Sequence, residues 1–102
     1  MLITENDIDE IRKKCELFNV KHLYLFGSAT TDNYNLKSDI DLLIDFEDIL
    51  PENYFEYYFN FKDFLSDYFK RDIDLLELKA LKNPYLIEEI NKNKILIYGK
   101  TN

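Results

Sequence analysis

A predicted strand that ends in Gly27-Ser28, followed after ten residues by the carboxylate pair Asp39 and Asp41, constrains this chain more than any other feature. Glycine permits the tight turn that ends the first strand. The second predicted strand, 38–46, alternates between its two faces, so both carboxylates lie on one face, about 6–7 Å apart along the backbone. The sequence therefore predicts two strands joined by a short connection, the second of which carries paired carboxylates.

Hydrophobic periodicity predicts three helices and four strands in the order α-β-β-α-β-α-β. The predicted elements are a helix over 4–18, strands over 20–26 and 38–46, a helix over 53–69, a strand over 71–78, a short helix opened by Asn83 and Pro84, and a strand over 94–98. Pro51 is expected to break the chain before the second helix. The 102 residues contain two Gly, two Pro and no repeat, which favours a single domain over 1–102. Its expected class is α+β, or mixed α/β, with a small mixed sheet of about four strands flanked by helices.

The predicted helix over 53–69 is apolar around about half of its circumference, wider than the roughly 100° that a surface helix needs. The centre of this arc is formed by Tyr54, Tyr58, Phe61, Leu65 and Tyr68, and it is broadened by Phe55, Tyr57, Phe64 and Phe69. Phe59 lies outside the arc. Deep burial in a small domain and a protein-binding face explain this pattern equally well.

Composition excludes several classes of partner and location. The net charge is −7, so free duplex DNA or RNA is not an expected partner, because phosphate binding needs clustered Lys and Arg. The single cysteine, Cys15, is expected in the core and cannot form an internal disulfide, which fits a reducing, cytoplasmic location. No apolar run has the length of a membrane span. The one histidine, His22, is interpreted as a sheet-face residue rather than a zinc ligand.

The carboxylates favour metal chemistry over a solvated strand face, although Asp and Glu make up 20 of the 102 residues. Strongly apolar strands disfavour aspartate, and another predicted strand carries Asp72 and Asp74, either of which could supply a third carboxylate. Side chains from neighbouring strands can converge on two divalent ions about 3.5–4 Å apart. Mg²⁺ fits because it prefers oxygen ligands and removes the repulsion among close carboxylates.

The turn at Gly27 and Ser28 is interpreted as a phosphate contact. Glycine lets backbone N–H groups approach a phosphate, and the serine hydroxyl adds a donor. With glycine only at 27 and 99, neither a P-loop nor a dinucleotide-binding fingerprint can be formed. Together with the carboxylates, this turn indicates nucleotidyl transfer from a nucleoside triphosphate.

The spacing Gly-Ser-x10-Asp-x-Asp, followed by Ile-Asp-Leu at 73–75, resembles the DNA polymerase β-type nucleotidyltransferase superfamily. Chain length and element order are similar to its minimal nucleotidyltransferases, the MntA-like (MNT) group, over nearly the whole chain. The resemblance implies that Gly27 and Ser28 bind phosphate and that Asp39 and Asp41 bind metal. It also implies that Asp74 is the third metal-binding carboxylate, which helps to deprotonate the acceptor hydroxyl.

Minimal members of this family commonly pair with a HEPN-domain toxin. The resemblance therefore implies a Mg²⁺-dependent antitoxin, using two ions and ATP as donor, that transfers AMP to a tyrosine hydroxyl of the toxin. A homodimer or a hetero-oligomer fits so small a domain.

One departure from the family pattern leaves two alternatives open. Family members often read Gly-Ser-x-Ala-Arg-Gly, whereas Thr31 and Asp32 stand at the positions of the Arg and the second Gly. A cation is lost and an anion added where the triphosphate is expected, unless Lys37 or Arg71 compensates. The first alternative is a non-catalytic binding module that neutralises its partner by contact alone. The second is an enzyme of this fold that acts on a small molecule or an RNA end.

Overall fold

Three helices and four strands follow one another in the described residues, 3–27 and 39–99, of the computed structural model. Their bounds are α1 Glu5–Leu17, β1 Val20–Phe26, β2 Ile40–Phe46, α2 Pro51–Phe69, β3 Ile73–Glu77, α3 Pro84–Asn93 and β4 Ile95–Tyr98. A short 3₁₀ turn, Leu78–Ala80, lies between β3 and α3. The predicted mixed α/β class and order of elements are confirmed.

The predicted bounds of three elements are wrong. Helix α2 begins at Pro51, two residues earlier than predicted, because the fixed φ of proline suits the first helical position, where no N–H is needed. Strand β2 begins at Ile40, and β3 is shorter than predicted at both ends, because the chain enters it only at Ile73 and turns into a 3₁₀ geometry at Leu78. Asp39 and Asp72 therefore lie just before these strands, whereas Asp41 and Asp74 lie within them as predicted.

Reciprocal hydrogen bonds between Thr4 and Asp7 start helix α1. The Asp7 N–H donates to the Thr4 hydroxyl at 3.1 Å, and the Thr4 N–H donates to the Asp7 carboxylate at 3.0 Å. The Tyr68 hydroxyl of α2 donates to the other Asp7 oxygen at 2.8 Å. Desolvation raises the pKa of the Asp7 carboxyl, but the hydrogen bonds from Thr4 and Tyr68 outweigh it, so the net pKa is lowered. Asp7 therefore caps α1 and joins it to α2.

Asp7→Ala is expected to lower the free energy of unfolding by about 1 kcal/mol at neutral pH, because a helix cap and an interhelical hydrogen bond are lost. The folded pKa of Asp7 lies below its ordinary value of 3.8. The charge-dependent stabilisation is therefore present above the unfolded pKa and is lost as the pH falls through the folded pKa. Urea unfolding across this pH range measures it, with exposed Asp9→Ala on the same helix as a control. A full-sized difference that persists at about pH 2 would contradict this account.

The four strands form one mixed sheet in the order β3-β2-β1-β4. Strand β1 pairs antiparallel with both β2 and β4, whereas β2 and β3 run parallel. Parallel neighbours need a long crossover, and α2 supplies it. Because β2 and β3 run the same way, their first residues meet at one end of the sheet. The end of β1 lies there too.

The two faces of the sheet differ in how fully they are covered. Helices α1 and α2 pack on the first face, whose core includes the alternating apolar residues Ile40, Leu42, Ile44 and Phe46 of β2, as predicted, and also Cys15. The second face carries a smaller buried cluster of Phe26, Leu43 and Ile90. The helical spacing of Leu86, Ile87 and Ile90 predicts that all three face inward; Ile90 is buried, but Leu86 is exposed. The second face also carries the aspartates of β2.

Burial explains only part of the aromatic character of α2. Phe61 and Leu65 are fully buried against the sheet, whereas Phe55 and Phe59 are exposed. Phe55 belongs to the predicted apolar arc but is not buried, so a protein-binding role for the exposed rings stays a prediction. In the described part of the chain, neither α2 nor any other helix combines the length and apolar character that a membrane crossing needs.

Candidate functional site

Two of the predicted carboxylates lie side by side on adjacent strands. Asp41 of β2 is the register partner of Asp74 of β3 on one side and of Phe26 of β1 on the other. Neighbouring strands are about 4.8 Å apart, and strand alternation places both aspartates on the second face. The structure therefore brings together, at one end of the sheet, aspartates that lie 33 positions apart in the chain.

The charges of three aspartates act on one another at this end. Asp41 is half-buried, and its pKa is raised first by desolvation and then by the negative charges of Asp74 and Asp39. Asp39 lies immediately before β2 and is exposed. This is the mutual repulsion that the sequence predicted for close carboxylates, and a bound cation would relieve it.

Gly27 packs directly against the Asp41 carboxylate. Its φ is +73°, and a Cβ placed on it would lie 2.3 Å from Asp41 Oδ2 and 3.1 Å from Asp41 Cγ. Any other residue would therefore push the carboxylate away as well as strain the backbone. The sequence predicts the turn at this glycine but not its contact with the Asp41 carboxylate, because that contact depends on the pairing of β1 with β2.

The expected phosphate-binding segment is only partly visible. Residues 28–38 lie outside the described residues, and with them the predictions made for Ser28, Thr31, Asp32 and Lys37. Arg71, the other cation expected to compensate for the missing arginine, lies at the carboxylate end of the sheet. The backbone N–H of Arg71 donates to the Ser66 carbonyl at 3.3 Å, and the Ser66 hydroxyl donates to the Arg71 carbonyl at 2.9 Å. The backbone position of Arg71 beside the aspartates is thus held by α2.

The structure distinguishes the two rivals for the third carboxylate by position. Asp74 lies within β3, in register with Asp41, and its charge raises the pKa of Asp41. Asp72 precedes β3, and its carbonyl accepts a hydrogen bond from the Ile40 N–H at 3.1 Å; both Asp72 and Asp74 are exposed, so position in the strand alone separates them. These positions favour Asp74, although its catalytic role stays a prediction.

The carboxylates at this end of the sheet suit a hard divalent cation, but their side chains do not form a complete metal site. Within residues 3–27 and 39–99, no three side chains of His, Cys, Asp or Glu are grouped closely enough to hold a metal ion. Carboxylate oxygens are the ligands that Mg²⁺ prefers, and the missing side chain of Gly27 makes room for the Asp41 carboxylate. A site with three carboxylates requires the side chains of Asp39, Asp41 and Asp74 to come closer together than they are. The metal-binding role of these residues therefore stays a prediction.

A second polar cluster lies further along the second face. Asp45 is only 7% exposed and is the register partner of His22, which lies on the sheet face as interpreted from the sequence. His22 Nδ1 is 3.5 Å from Asp45 Oδ2, and Lys79 Nζ is 3.8 Å from Oδ1. Within the described residues Oδ1 accepts no hydrogen bond. Sequence analysis missed this cluster because only the strand register pairs His22 with Asp45.

Comparison with known proteins supports the interpretation of these motifs. Residues 6–102 match the family model described as "Polymerase beta, Nucleotidyltransferase". A curated relative from Methanocaldococcus jannaschii, which carries the provisional name protein adenylyltransferase, is 34% identical over 82 residues. The match covers 80% of this chain and 81% of the relative.

Three solved structures share the fold at low sequence identity. A provisionally named minimal nucleotidyltransferase superimposes with a TM-score of 0.73 at 21% identity, covering 88% of each chain. A toxin–antitoxin structure with AMP-PNP gives 0.71 at 21% identity, covering 92% of this chain and 74% of the other. The MNT antitoxin complex with a tri-AMPylated HEPN toxin of Shewanella oneidensis gives 0.63 at 20% identity, covering 91% and 70%. At these identities the likeness concerns the fold alone.

Proposed function

Because the chain belongs to the polymerase beta nucleotidyltransferase family, we propose that it is an antitoxin that transfers AMP from ATP to a tyrosine hydroxyl of a HEPN-domain toxin. The observation that carries the proposal is the pairing of Asp41 with Asp74 on adjacent strands, next to a glycine, Gly27, whose missing side chain makes room for the Asp41 carboxylate. The name of the curated relative supports a protein acceptor. The solved complex of an MNT antitoxin with an AMPylated HEPN toxin supports the partner.

In the proposed reaction the acceptor hydroxyl attacks the α-phosphorus of ATP. The new P–O bond forms as the bond to the departing pyrophosphate breaks. Asp74 accepts the hydroxyl proton, because it lies at the open end of the sheet beside Asp41. Gly27 makes room for the Asp41 carboxylate, and its backbone turn orients the triphosphate.

Mg²⁺ held by Asp39, Asp41 and Asp74 would stabilise the negative charge that develops on the phosphates. The chain itself contributes the carboxylates, the rigid strands that align them and the turn that admits the nucleotide. Arg71 lies at the same end, one position before Asp72, and we assign it to the outer phosphates. This assignment would offset the loss of the family arginine at Thr31.

A contact-only antitoxin is the second candidate, and one observation favours it. Asp39 is exposed and no metal-binding group of three is formed among the described residues. If the carboxylates never assemble around a cation, the fold would neutralise its partner without transferring a group.

Label transfer separates these two functions. The protein is incubated with Mg²⁺, a HEPN-domain protein, and ATP labelled at the α-phosphate. We expect label on a tyrosine of the HEPN protein, none when ATP is labelled at the γ-phosphate, and none with Asp39→Asn. Absence of transfer with every divalent metal tested would contradict the proposal. A double variant Asp39→Asn and Asp41→Asn that still neutralises the toxin would then establish the contact-only function.

A further inference from the structure

The outer side of α2 carries an exposed aromatic pair. Phe55 is 68% exposed and Phe59 is 51% exposed. Their rings stack with centroids 6.3 Å apart and an interplanar angle of 17°. Each ring also packs edge-on against a neighbouring tyrosine, Phe55 against Tyr54 and Phe59 against Tyr58. Exposed aromatic rings are typical of interaction surfaces, in which such residues supply most of the binding energy.

The pair is held rigidly by the tyrosines behind it. The Tyr54 hydroxyl donates to the Glu77 carboxylate and the Tyr58 hydroxyl donates to the Leu75 carbonyl, both at 2.5 Å. These bonds tie α2 to the edge strand β3. A partner would therefore meet aromatic rings that are already ordered, so little conformational entropy would be lost on binding.

The surroundings of the aromatic pair are acidic. Exposed Glu52 and Glu56 lie one helical turn from Phe55 and Phe59. Phe55 also lines a hollow of about 420 Å³ whose charged residues are Glu47, Asp48, Glu77 and Lys79. Carboxylates thus outnumber the single lysine around this hollow, which suits the side chain of a lysine or arginine.

We propose that Phe55 and Phe59, with Glu52, Glu56 and the adjoining hollow, form an acidic aromatic patch that docks a basic surface of the partner protein. The partner would present an apolar contact flanked by Lys or Arg. This inference rests on the proposed function for the identity of the partner. A second copy of the chain fits less well, because a symmetric contact would place Glu52 and Glu56 against their own copies.

The patch and the carboxylates that are assigned to chemistry lie on opposite faces of the sheet, because α2 packs on the first face and Asp41 and Asp74 lie on the second. The hollow beside Phe55 adjoins Phe46 at the end of β2, whereas Phe59 lies nearer the carboxylate end, beside Tyr58, whose hydroxyl donates to the Leu75 carbonyl. Docking and transfer can therefore be altered independently.

The test measures the affinity of variants of this 102-residue chain for a HEPN-domain protein. Calorimetry is performed on the wild type, on Phe55→Ser with Phe59→Ser, and on Glu52→Lys with Glu56→Lys. Tyr85→Ser, which changes an even more exposed aromatic residue on the other side of the sheet, is the control. We expect Kd to rise at least about tenfold in the phenylalanine variant. In the lysine variant we expect a higher Kd that depends less on salt. Tyr85→Ser should match the wild type, and ATP binding should be unchanged in all three.

The possible failures are distinguishable. Wild-type affinity in both patch variants would overturn the docking surface while leaving the proposed function standing. Binding through the patch without label transfer would overturn the AMP transfer alone. A wild type that fails to bind the HEPN protein would overturn both. Sedimentation gives the remaining outcome, since a wild-type dimer that the phenylalanine variant loses, with HEPN affinity retained, would make the patch a self-association surface.

Discussion

Asp41→Asn and Asp74→Asn are each expected to lower the rate of AMP transfer by at least about 10²-fold, because each removes charge from the pair that would hold the cation and activate the hydroxyl. Asp41 lies between its register partners Phe26 and Asp74. The rate of label transfer at saturating ATP measures the loss, and calorimetry of ATP with and without Mg²⁺ measures whether metal-dependent binding is lost with it.

Two controls show whether the loss of transfer rate comes instead from misfolding or from the removal of any nearby negative charge. Asp41→Asn removes a carboxylate whose pKa is raised by burial, Asp74 and Asp39, so folding stability should not fall. Asp72→Asn removes the same charge from an exposed position outside the pair and should reduce the rate less than about tenfold. If Asp72→Asn were the more damaging change, the assignment of Asp74 as the third carboxylate would be wrong.

Gly27→Ala is expected to reduce transfer by about 10²-fold and to lower the free energy of unfolding by about 1–2 kcal/mol. The stability loss follows from a side chain at φ +73°. The rate loss follows because the new Cβ would lie 2.3 Å from Asp41 Oδ2, so the carboxylate must move, and a displacement of about 1 Å can cost that much in rate. Thermal unfolding and label transfer are measured on the same preparation.

Gly99→Ala is the matched control for this change. Gly99 also has a positive φ, +114°, and its Cβ would lie 2.5 Å from the Lys21 carbonyl. It lies beside the start of β1, at the opposite end from Asp41, so the variant should lose stability but keep its transfer rate per folded molecule. Equal rate losses in the two variants would show that backbone strain, rather than displacement of Asp41, explains the effect.

Structural features that depend on residues close together in the chain were predicted correctly. Asn83 begins α3 as expected, and Thr4, the first residue of the predicted helix over 4–18, caps α1, because capping depends on residues within one helical turn. The alternation of β2 sorted its apolar and acidic residues between the two faces correctly, since strand period depends on backbone geometry alone. The family followed from the Gly-Ser and Asp-x-Asp spacing, and the match over residues 6–102 confirms it.

Burial could not be predicted where it depends on packing against elements that are distant in the chain. Phe55 and Leu86 are apolar and have suitable spacing, yet both are exposed, because burial depends on whether another element covers that side of the helix. Asp45 looked like one more outward carboxylate, but the sheet buries it beside His22.

The sequence by itself determined the mixed α/β class, the order of the elements, the family and the residue types available for chemistry, because motifs and periodicities are properties of neighbouring residues. Only the tertiary structure decided that Asp74 rather than Asp72 stands in register with Asp41, that Gly27 touches that carboxylate, and that Phe55 and Phe59 face outward. Those facts depend on strand register and on helix packing. Both are set by contacts between residues far apart in the chain, which no local pattern records.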